Sequence, residues 1–253
     1  MTILIGVLCQ DGVVVGADSS ATFGAGPQYK TIEQKCKKVE VIDEKVIVAG
    51  TGQVGLGQRF NYVVQEYWKE KGFQKHYLEV GRELSAKCIS NFASSQVAKG
   101  QYGSLLAYTA GGKYHLCEFA ISDFQPEFKD SNMWYVSMGS GQLIVDPFLG
   151  LLRKVFWGDS PPRCNEGIFY VAWALQHAIE LNPGGINEPM QIAVLQLAGA
   201  GNIKARCLNE QELSEHLDHV RGVNEYLAKY KDILQGRIGD VDVKLPEPPA
   251  KEK

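Results

Sequence analysis

Histidine and cysteine are scarce in this sequence, and neither residue type forms a metal-binding pattern. Among the 253 residues there are five histidines and six cysteines. No two cysteines form a C-x-x-C pair, and none has a histidine at zinc-finger spacing. His216 and His219 lie three residues apart, but on a charged predicted helix, which favours a solvated face. The sequence therefore predicts no metal and no other cofactor. Cysteines scattered among apolar residues indicate free thiols, and so a cytoplasmic protein.

Long apolar runs and an excess of positive charge are also missing. No run of 18 apolar residues occurs, so no membrane span is expected, and no basic stretch precedes an apolar one, so no signal peptide is expected. The formal net charge of −3 and the pI of about 6.0 argue against a nucleic-acid or anionic-membrane surface. The phosphate-binding pattern G-x-x-x-x-G-K-[ST] does not occur, so this chain is not expected to contain an ATPase site of that type.

The apolar residues that are present predict blocks of strands and helices. A hairpin is expected over 3–8 and 12–17, because Asp11-Gly12 is a strong turn signal. Residues 19–35, rich in Ser, Gly, Thr and Lys, are predicted to form a long loop. Further strands are expected at 38–42, 45–49, 103–110, 113–121, 133–138, 190–198 and 202–208, and helices at 53–71, 76–96, 142–157, 165–181 and 210–235.

This order lacks the strict strand–helix alternation of a parallel sheet. It favours an α+β fold in which two stacked antiparallel sheets carry helices on their outer faces, a four-layer α-β-β-α sandwich. We expect one domain over residues 1–239, which is long enough for a large core. The tail at 240–253 has no core-forming pattern and is predicted to be extended or disordered.

Thr2 offers the simplest catalytic possibility in the sequence. If Met1 is removed, a single residue carries a hydroxyl nucleophile and a free α-amine. The reference pKa of that amine is about 7.7–8.0, so much of it is unprotonated near neutral pH. Most threonines after an initiator methionine are ordinary strand starts, so a catalytic role needs support from other residues.

Three other positions supply that support. Asp18 ends the second strand, where a carboxylate after apolar residues must be paired or solvated. Lys38 opens the third strand. Gly50 ends the fourth strand and is expected to open the first helix, whose unpaired N–H groups would suit an oxyanion. A purely structural ion pair between Asp18 and Lys38 is the alternative interpretation.

Thr2 and four short motifs that follow it resemble those of proteasome-type β subunits, one branch of the N-terminal nucleophile hydrolases, and all the matches come in order over residues 2–185. Each motif alone is weak, but their order and spacing together are specific. Bacterial members of the HslV and Anbu types are the nearest in pattern. The motifs are Gly12-Val13-Val14-Val15-Gly16-Ala17-Asp18-Ser19-Ser20-Ala21-Thr22, Lys37-Lys38-Val39-Glu40-Val41-Ile42, Val48-Ala49-Gly50-Thr51-Gly52 and Met138-Gly139-Ser140-Gly141.

The resemblance implies a role for each matching residue. Thr2 would be the nucleophile and its α-amine the base, acting directly or through a water. Lys38 would lower the pKa of the Thr2 hydroxyl by its charge, and Asp18 would pair with Lys38. Gly50 would donate its N–H to the oxyanion. Ser140 would form a hydrogen bond in the region of the Thr2 α-amine, although a helix N-cap is an equally good interpretation of that serine.

The resemblance also implies a substrate pocket, and it shows one departure from the family pattern. Ala21, Cys36, Glu40 and Val48 would bound the pocket; Cys36 and Val48 favour a modest apolar side chain, and an inward Glu40 favours a basic one. The family's Asp-x-x-Ser-Gly-Gly corresponds to 180–185 here. Glu180 would replace the Asp as an auxiliary residue, but Pro183 replaces the serine and offers neither hydroxyl nor N–H.

The resemblance implies a threonine-type endopeptidase, without cofactors, that acts on peptides or unfolded proteins inside a ring or double ring of identical subunits. The helices near 53–97 and 142–181 would face neighbouring subunits, and an ATPase unfoldase would be a separate partner. Two alternatives stay open. One is an N-terminal nucleophile amidase for a small amide, and the other is a non-catalytic ring or scaffold subunit that keeps Met1.

Overall fold

The computed structural model describes residues 2–26, 29–95, 101–182, 184–198 and 201–236. The chain divides into two compact units, Met1–Leu208 and Asn209–Lys253. The predicted single domain over 1–239 stays a prediction, and the predicted tail at 240–253 lies outside the described residues. No helix among the described residues is long and apolar enough to cross a membrane.

The first unit contains strands and helices in blocks, as the sequence pattern predicts. Its strands are β1 (Leu4–Cys9), β2 (Gly12–Ala17), β3 (Ser20–Gly26), β4 (Tyr29–Lys35), β5 (Val39–Ile42), β6 (Val46–Gly52), β7 (Tyr102–Ala110), β8 (Lys113–Phe119), β9 (Pro126–Phe128), β10 (Tyr135–Met138), β11 (Gln191–Ala198) and β12 (Asn202–Cys207). Its helices are α1 (Val54–Lys71), α2 (Tyr77–Ala93), α3 (Gln142–Leu152) and α4 (Cys164–Leu181), and α3 continues into a π-helical turn at Arg153–Trp157.

Two five-stranded antiparallel sheets form the centre of this unit. The first sheet has the order β10-β1-β2-β11-β12, and the second has the order β5-β6-β7-β8-β9. Apolar residues of both sheets pack in one cluster, which includes Leu4 and Val15 of the first sheet and Ile47, Leu105 and Leu116 of the second. The sheets are therefore stacked face to face, which explains why β1 and β2 are buried on both faces.

Helices cover both outer faces of the stacked sheets. The helices α1 and α2 pack on the second sheet through an apolar cluster that includes Phe60, Val64 and Leu84. On the other side, α4 lies along β1, β2 and β11, and α3 packs on α4 and β10. The predicted α+β fold, a four-layer sandwich of two antiparallel sheets, is thus confirmed.

The prediction of a loop over residues 19–35 is wrong. The strands β3 and β4 form a separate two-stranded antiparallel hairpin, in which Phe23 pairs with Ile32. Both of these side chains are largely exposed. A hairpin outside the stacked sheets needs no buried face, so its sequence lacks the apolar pattern that marks the other strands.

The described part of the second unit is one helix, α5 (Glu210–Leu234). Its start is fixed by a capping box, in which the Asn209 side chain accepts a hydrogen bond from Glu212 N, and the Glu212 carboxylate accepts one from Asn209 N. The predicted helix at 210–235 agrees with this observation.

Candidate active site

Asp18 and Lys38 form a buried ion pair against the side chain of Thr2. Lys38 Nζ lies 2.6 Å from Asp18 Oδ1 and donates to Thr2 Oγ1 at 3.0 Å. The Asp18 side chain is fully buried, and only 5% of the Lys38 side chain is exposed. Buried charges persist only when they are paired and hydrogen-bonded. Here the paired cation also reaches the hydroxyl of the predicted nucleophile.

The register of the first sheet brings Asp18 to Thr2. Leu4 of β1 pairs with Ala17 of β2, so the residues just before β1 lie beside the residue just after β2. Asp18 Oδ1 accepts a hydrogen bond from Ile3 N at 2.9 Å, and Asp18 Oδ2 accepts one from Ser20 N at 2.9 Å. These two backbone bonds hold the carboxylate in one orientation toward Lys38.

Lys38 has an electrostatic environment that differs from that of a surface lysine. Burial lowers the pKa of Lys38 below the ordinary lysine value, and the attraction of Asp18 opposes part of that shift. A lysine cation 3.0 Å from a hydroxyl oxygen favours the ionised form of that hydroxyl. The arrangement can therefore assist deprotonation of Thr2.

The loop from Gly139 to Gly141 closes over the backbone of Thr2. Thr2 N donates to Ser140 Oγ at 3.1 Å, and Gly141 N donates to Thr2 O at 3.1 Å. Gly139 has φ +101°, and a Cβ there would lie 2.4 Å from Thr2 O, so glycine is required. The N-cap of α3 is Gly141 rather than Ser140. The hydroxyl of Ser140 thus binds the nitrogen of Thr2 and does not cap the helix.

Gly50 lies within a strand and not at the start of a helix. The expectation that it opens the first helix is wrong, because β6 continues to Gly52 and α1 begins at Val54. Its N–H donates to Lys38 O at 3.3 Å. A Cβ on Gly50 would lie 2.4 Å from Tyr102 Oη, so only glycine fits above that ring. The oxyanion role of Gly50 stays a prediction.

Gln191 is a residue of this region that sequence reasoning missed. Its Oε1 accepts hydrogen bonds from Lys38 N at 2.9 Å and from Val39 N at 3.2 Å. Its Nε2 donates to Ser19 Oγ at 2.6 Å and to Cys36 O at 2.8 Å. One amide therefore fixes the segment that carries Lys38. The only available sequence signal was a polar residue at the start of an apolar strand.

A pocket of about 670 Å³ opens beside Thr2. Three of the four predicted pocket residues, Ala21, Cys36 and Glu40, line it together with Thr2, Lys38, Gly50 and Ser140. The predicted place of Val48 in the pocket is wrong, because its side chain is 1% exposed and packs in the core under α1. Burial raises the pKa of the Cys36 thiol, and the nearby Lys38 charge opposes that shift.

The predicted auxiliary residue is not brought to this pocket. Glu180 lies exposed near the end of α4, and its Oε1 accepts a hydrogen bond from Gln176 at 2.7 Å. It is not among the residues that line the pocket. Pro183 lies outside the described residues. In the parts of the chain that the structure describes, no group of three or more His, Cys, Asp or Glu could hold a metal ion.

Comparison with known proteins adds a family match and several relatives. A family model described as "Proteasome subunit" matches residues 2–179. "Proteasome subunit beta 1" of Thermococcus kodakarensis is 27% identical over 113 residues, 45% of this chain and 51% of that protein. "Proteasome subunit beta 2" of Pyrococcus abyssi is 26% identical over 186 residues, 71% of this chain and 79% of that protein. The chain spans about half the length of two Thermococcus relatives that it matches.

Solved structures match over nearly the whole chain. Anbu from Yersinia bercovieri superposes with a TM-score of 0.65 at 12% identity, covering 95% of this chain and 100% of that one. A structure titled as the helical assembly of the Anbu complex from Pseudomonas aeruginosa gives a TM-score of 0.66 at 12% identity, covering 98% of each chain. At this level of identity the likeness concerns the fold.

Proposed function

Since this chain belongs to the proteasome subunit family, we propose that it is a threonine-type endopeptidase whose nucleophile is Thr2, exposed at the N-terminus by removal of Met1. One observation carries the proposal: Lys38 Nζ contacts both the Thr2 hydroxyl and the buried Asp18 carboxylate. That hydroxyl lines a pocket large enough for a side chain of a peptide. The more general assignment to a proteasome-type hydrolase or a related scaffold subunit rests on the family match alone.

The acylation step uses groups that meet at Thr2. The free α-amine takes the hydroxyl proton, directly or through a water, while the Lys38 cation stabilises the forming alkoxide. Thr2 Oγ bonds to the peptide carbonyl carbon, and the carbonyl oxygen takes the negative charge. Collapse of this intermediate breaks the C–N bond, and the protonated amine gives its proton to the departing amine. The product is an ester between Thr2 and the acyl part of the substrate.

The deacylation step returns the enzyme to its starting state. Water attacks the ester carbonyl and gives one proton to the Thr2 amine. The C–O bond to Thr2 breaks, and that proton returns to the threonine oxygen as the acid leaves. The same amine therefore serves as base and acid in both halves of the reaction.

Two groups are proposed to support these steps. Ser140 Oγ, 3.1 Å from Thr2 N, would orient the amine toward the hydroxyl. Gly50 N–H is proposed as the oxyanion donor. Its bond to Lys38 O is long at 3.3 Å, so the same N–H can also donate to a substrate oxygen in a three-centre bond.

The proposal also covers assembly and location. We propose a homo-oligomer, a ring or double ring, with peptides or unfolded proteins as substrate and with an ATPase unfoldase as a separate partner. A cytoplasmic location is proposed because all six cysteines are free thiols. The Asp18–Lys38–Thr2 contacts favour this enzyme over the scaffold subunit that keeps Met1, which would need no buried cation at Thr2 Oγ.

Two measurements test the proposed reaction. The intact mass of the purified protein is expected to lack Met1, and Thr2→Ala is expected to abolish hydrolysis of fluorogenic peptide amides while leaving the circular dichroism spectrum unchanged. Thr109→Ala is the matched control, because it removes the same hydroxyl from β7, at a residue that does not line the pocket. Retention of Met1, or full turnover by Thr2→Ala, would refute the nucleophile.

A further inference from the structure

In the described part of the chain, the pocket beside Thr2 is lined by an asparagine, Asn61, whose amide oxygen has no hydrogen-bond donor. Asn61 lines the pocket from α1, on the face that also presents Val54, Gly57 and Gln58. Its Oδ1 is buried, and no donor among the described residues lies within hydrogen-bond reach of it. A buried acceptor without a donor is unfavourable. A ligand that brings an N–H group to this atom removes that penalty.

Glu40 places a carboxylate on the same side of the second sheet. In the β5–β6 ladder Glu40 pairs with Val48, and paired residues point to the same face of a sheet. Val48 packs in the apolar cluster under α1, so Glu40 also faces the α1 side. Because β5 is an edge strand, Glu40 reaches the pocket wall instead of the core.

The present partner of Glu40 is easily exchanged. Lys37 Nζ lies 2.7 Å from Glu40 Oε2, but 62% of the Lys37 side chain is exposed. An exposed ion pair of this kind holds its partners only weakly. Lys37 itself lines the pocket, so a ligand cation that binds Glu40 must displace the Lys37 side chain to solvent.

The floor of the pocket limits what else can bind. Tyr102 lines the pocket, is almost fully buried and lies directly beneath Gly50 and Gly57. Its ring provides an apolar surface for the methylene groups of a long side chain, while Glu40 and Asn61 line the wall. Apolar contact along the stem and acceptors at the end suit a basic side chain.

We propose that this pocket binds a lysine or arginine side chain of the residue whose carbonyl carbon Thr2 attacks, so that the enzyme cleaves after basic residues. The inference rests on the proposed function. Arginine is the preferred residue, because its guanidinium carries five N–H donors and can form two parallel bonds with a carboxylate such as that of Glu40, with donors left for the amide of Asn61.

Peptide amides that differ only in the residue whose carbonyl carbon is attacked test the substrate class. Wild-type protein is expected to show kcat/KM at least about tenfold higher with arginine than with leucine, since a site that hydrogen-bonds a substrate discriminates against analogues without the donors. Glu40→Gln, which keeps the shape and removes the charge, should lower the arginine-to-leucine ratio by about tenfold. Asn61→Asp should raise that ratio, because it adds a charge where the donor is missing.

Gln65→Glu is the control for added charge. It places a new carboxylate on the same helix at an exposed position outside the pocket, and it should leave the ratio unchanged. A higher kcat/KM with leucine than with arginine in the wild type, or a ratio that Glu40→Gln does not change, would overturn the inference while the proposed function stands.

A binding measurement separates the inference from catalysis. The Thr2→Ala protein, titrated calorimetrically with acetylated peptide amides that differ only in this residue, is expected to bind the arginine peptide about tenfold more tightly than the leucine peptide. Equal affinities would overturn the inference. If this difference is found but no Thr2-dependent hydrolysis occurs, the proposed function fails and the basic pocket stands.

Discussion

At the scale of single residues, the candidate site depends on one buried cation. Lys38 contacts the Asp18 carboxylate and the Thr2 hydroxyl, and burial lowers the pKa of its ammonium. As a cation it favours the Thr2 alkoxide, so its deprotonation at high pH should reduce activity. The Thr2 amine must instead be neutral to act as base. These two groups set opposite limits on the pH range of catalysis.

We therefore expect a bell-shaped dependence of kcat/KM on pH. The acid limb should rise through the pKa of the α-amine, near the reference range of about 7.7–8.0. The alkaline limb should fall at a pH below the ordinary lysine value of about 10.4, because the pKa of Lys38 is lowered. Initial rates measured from pH 5 to 11 with one peptide amide test both limbs.

Lys38→Arg distinguishes the source of the alkaline limb. A guanidinium keeps its charge throughout this pH range, so the activity that remains in this variant should not fall at high pH. Lys113→Arg is the matched control, because Lys113 lies exposed at the start of β8 and does not line the pocket. An alkaline limb that persists unchanged in Lys38→Arg would show that another group titrates.

The residues of the site differ in how well the sequence could predict them. Asp18 and Lys38 were predictable, since a carboxylate and a lysine at the ends of apolar strands must find partners. The buried position of Val48 was not, because strand register decides which face of β6 meets α1. Asn61 was not predictable either, since a single asparagine on a helix carries no pattern.

At the scale of secondary-structure elements, the segment between β4 and β5 needs support from another strand. Residues 36–38 belong to no strand, yet they carry Cys36 and Lys38. Gln191, at the start of β11, pairs with Ala17 and so lies beside Asp18. Its amide bonds to Lys38 N, Val39 N and Cys36 O join the two sheets at the site. The position of Lys38 Nζ thus depends on a strand distant in sequence.

We predict that Gln191→Leu lowers kcat by about tenfold or more, because a displacement of Lys38 by about 1 Å weakens its contact with Thr2. Gln191→Glu keeps the acceptor for both N–H groups and loses the donor, so it should retain more activity. Gln196→Leu is the control, since it makes the same change further along β11. Equal kcat values for Gln191→Leu and the wild type would contradict a positioning role, and denaturation curves show whether stability changes instead.

The elements that the sequence predicted are those with a buried face. All predicted helices of the first unit are present within a few residues, and so are the predicted strands, which belong to the two central sheets. The hairpin β3–β4 and the short strand β9 were missed. The first lies outside the stacked sheets and the second has three residues, so neither leaves an apolar periodicity in the sequence.

At the scale of the whole molecule, the outer face of α3 and the π-helical turn remains apolar in the single chain. Leu143 is 88% exposed and Val155 is 61% exposed, and Leu151 and Phe156 are also exposed. A patch of large apolar side chains on a folded surface indicates a partner surface. The proposed homo-oligomer provides such a partner, because a second copy presents the same kind of face.

We predict that the double substitution Leu151→Lys/Val155→Lys reduces the native mass measured by light scattering, because two like charges cannot pair with each other and cannot be buried without a partner. Leu197→Lys is the matched control, since Leu197 is equally exposed but lies on β11, away from these helices. The Thr2→Ala protein should keep the mass of the wild type. An unchanged mass in the double variant would show that this face does not form the interface between subunits. A monomeric wild type would refute the homo-oligomer itself. A peptidase that is active as a monomer would show that the Asp18–Lys38–Thr2 contacts suffice for catalysis without assembly.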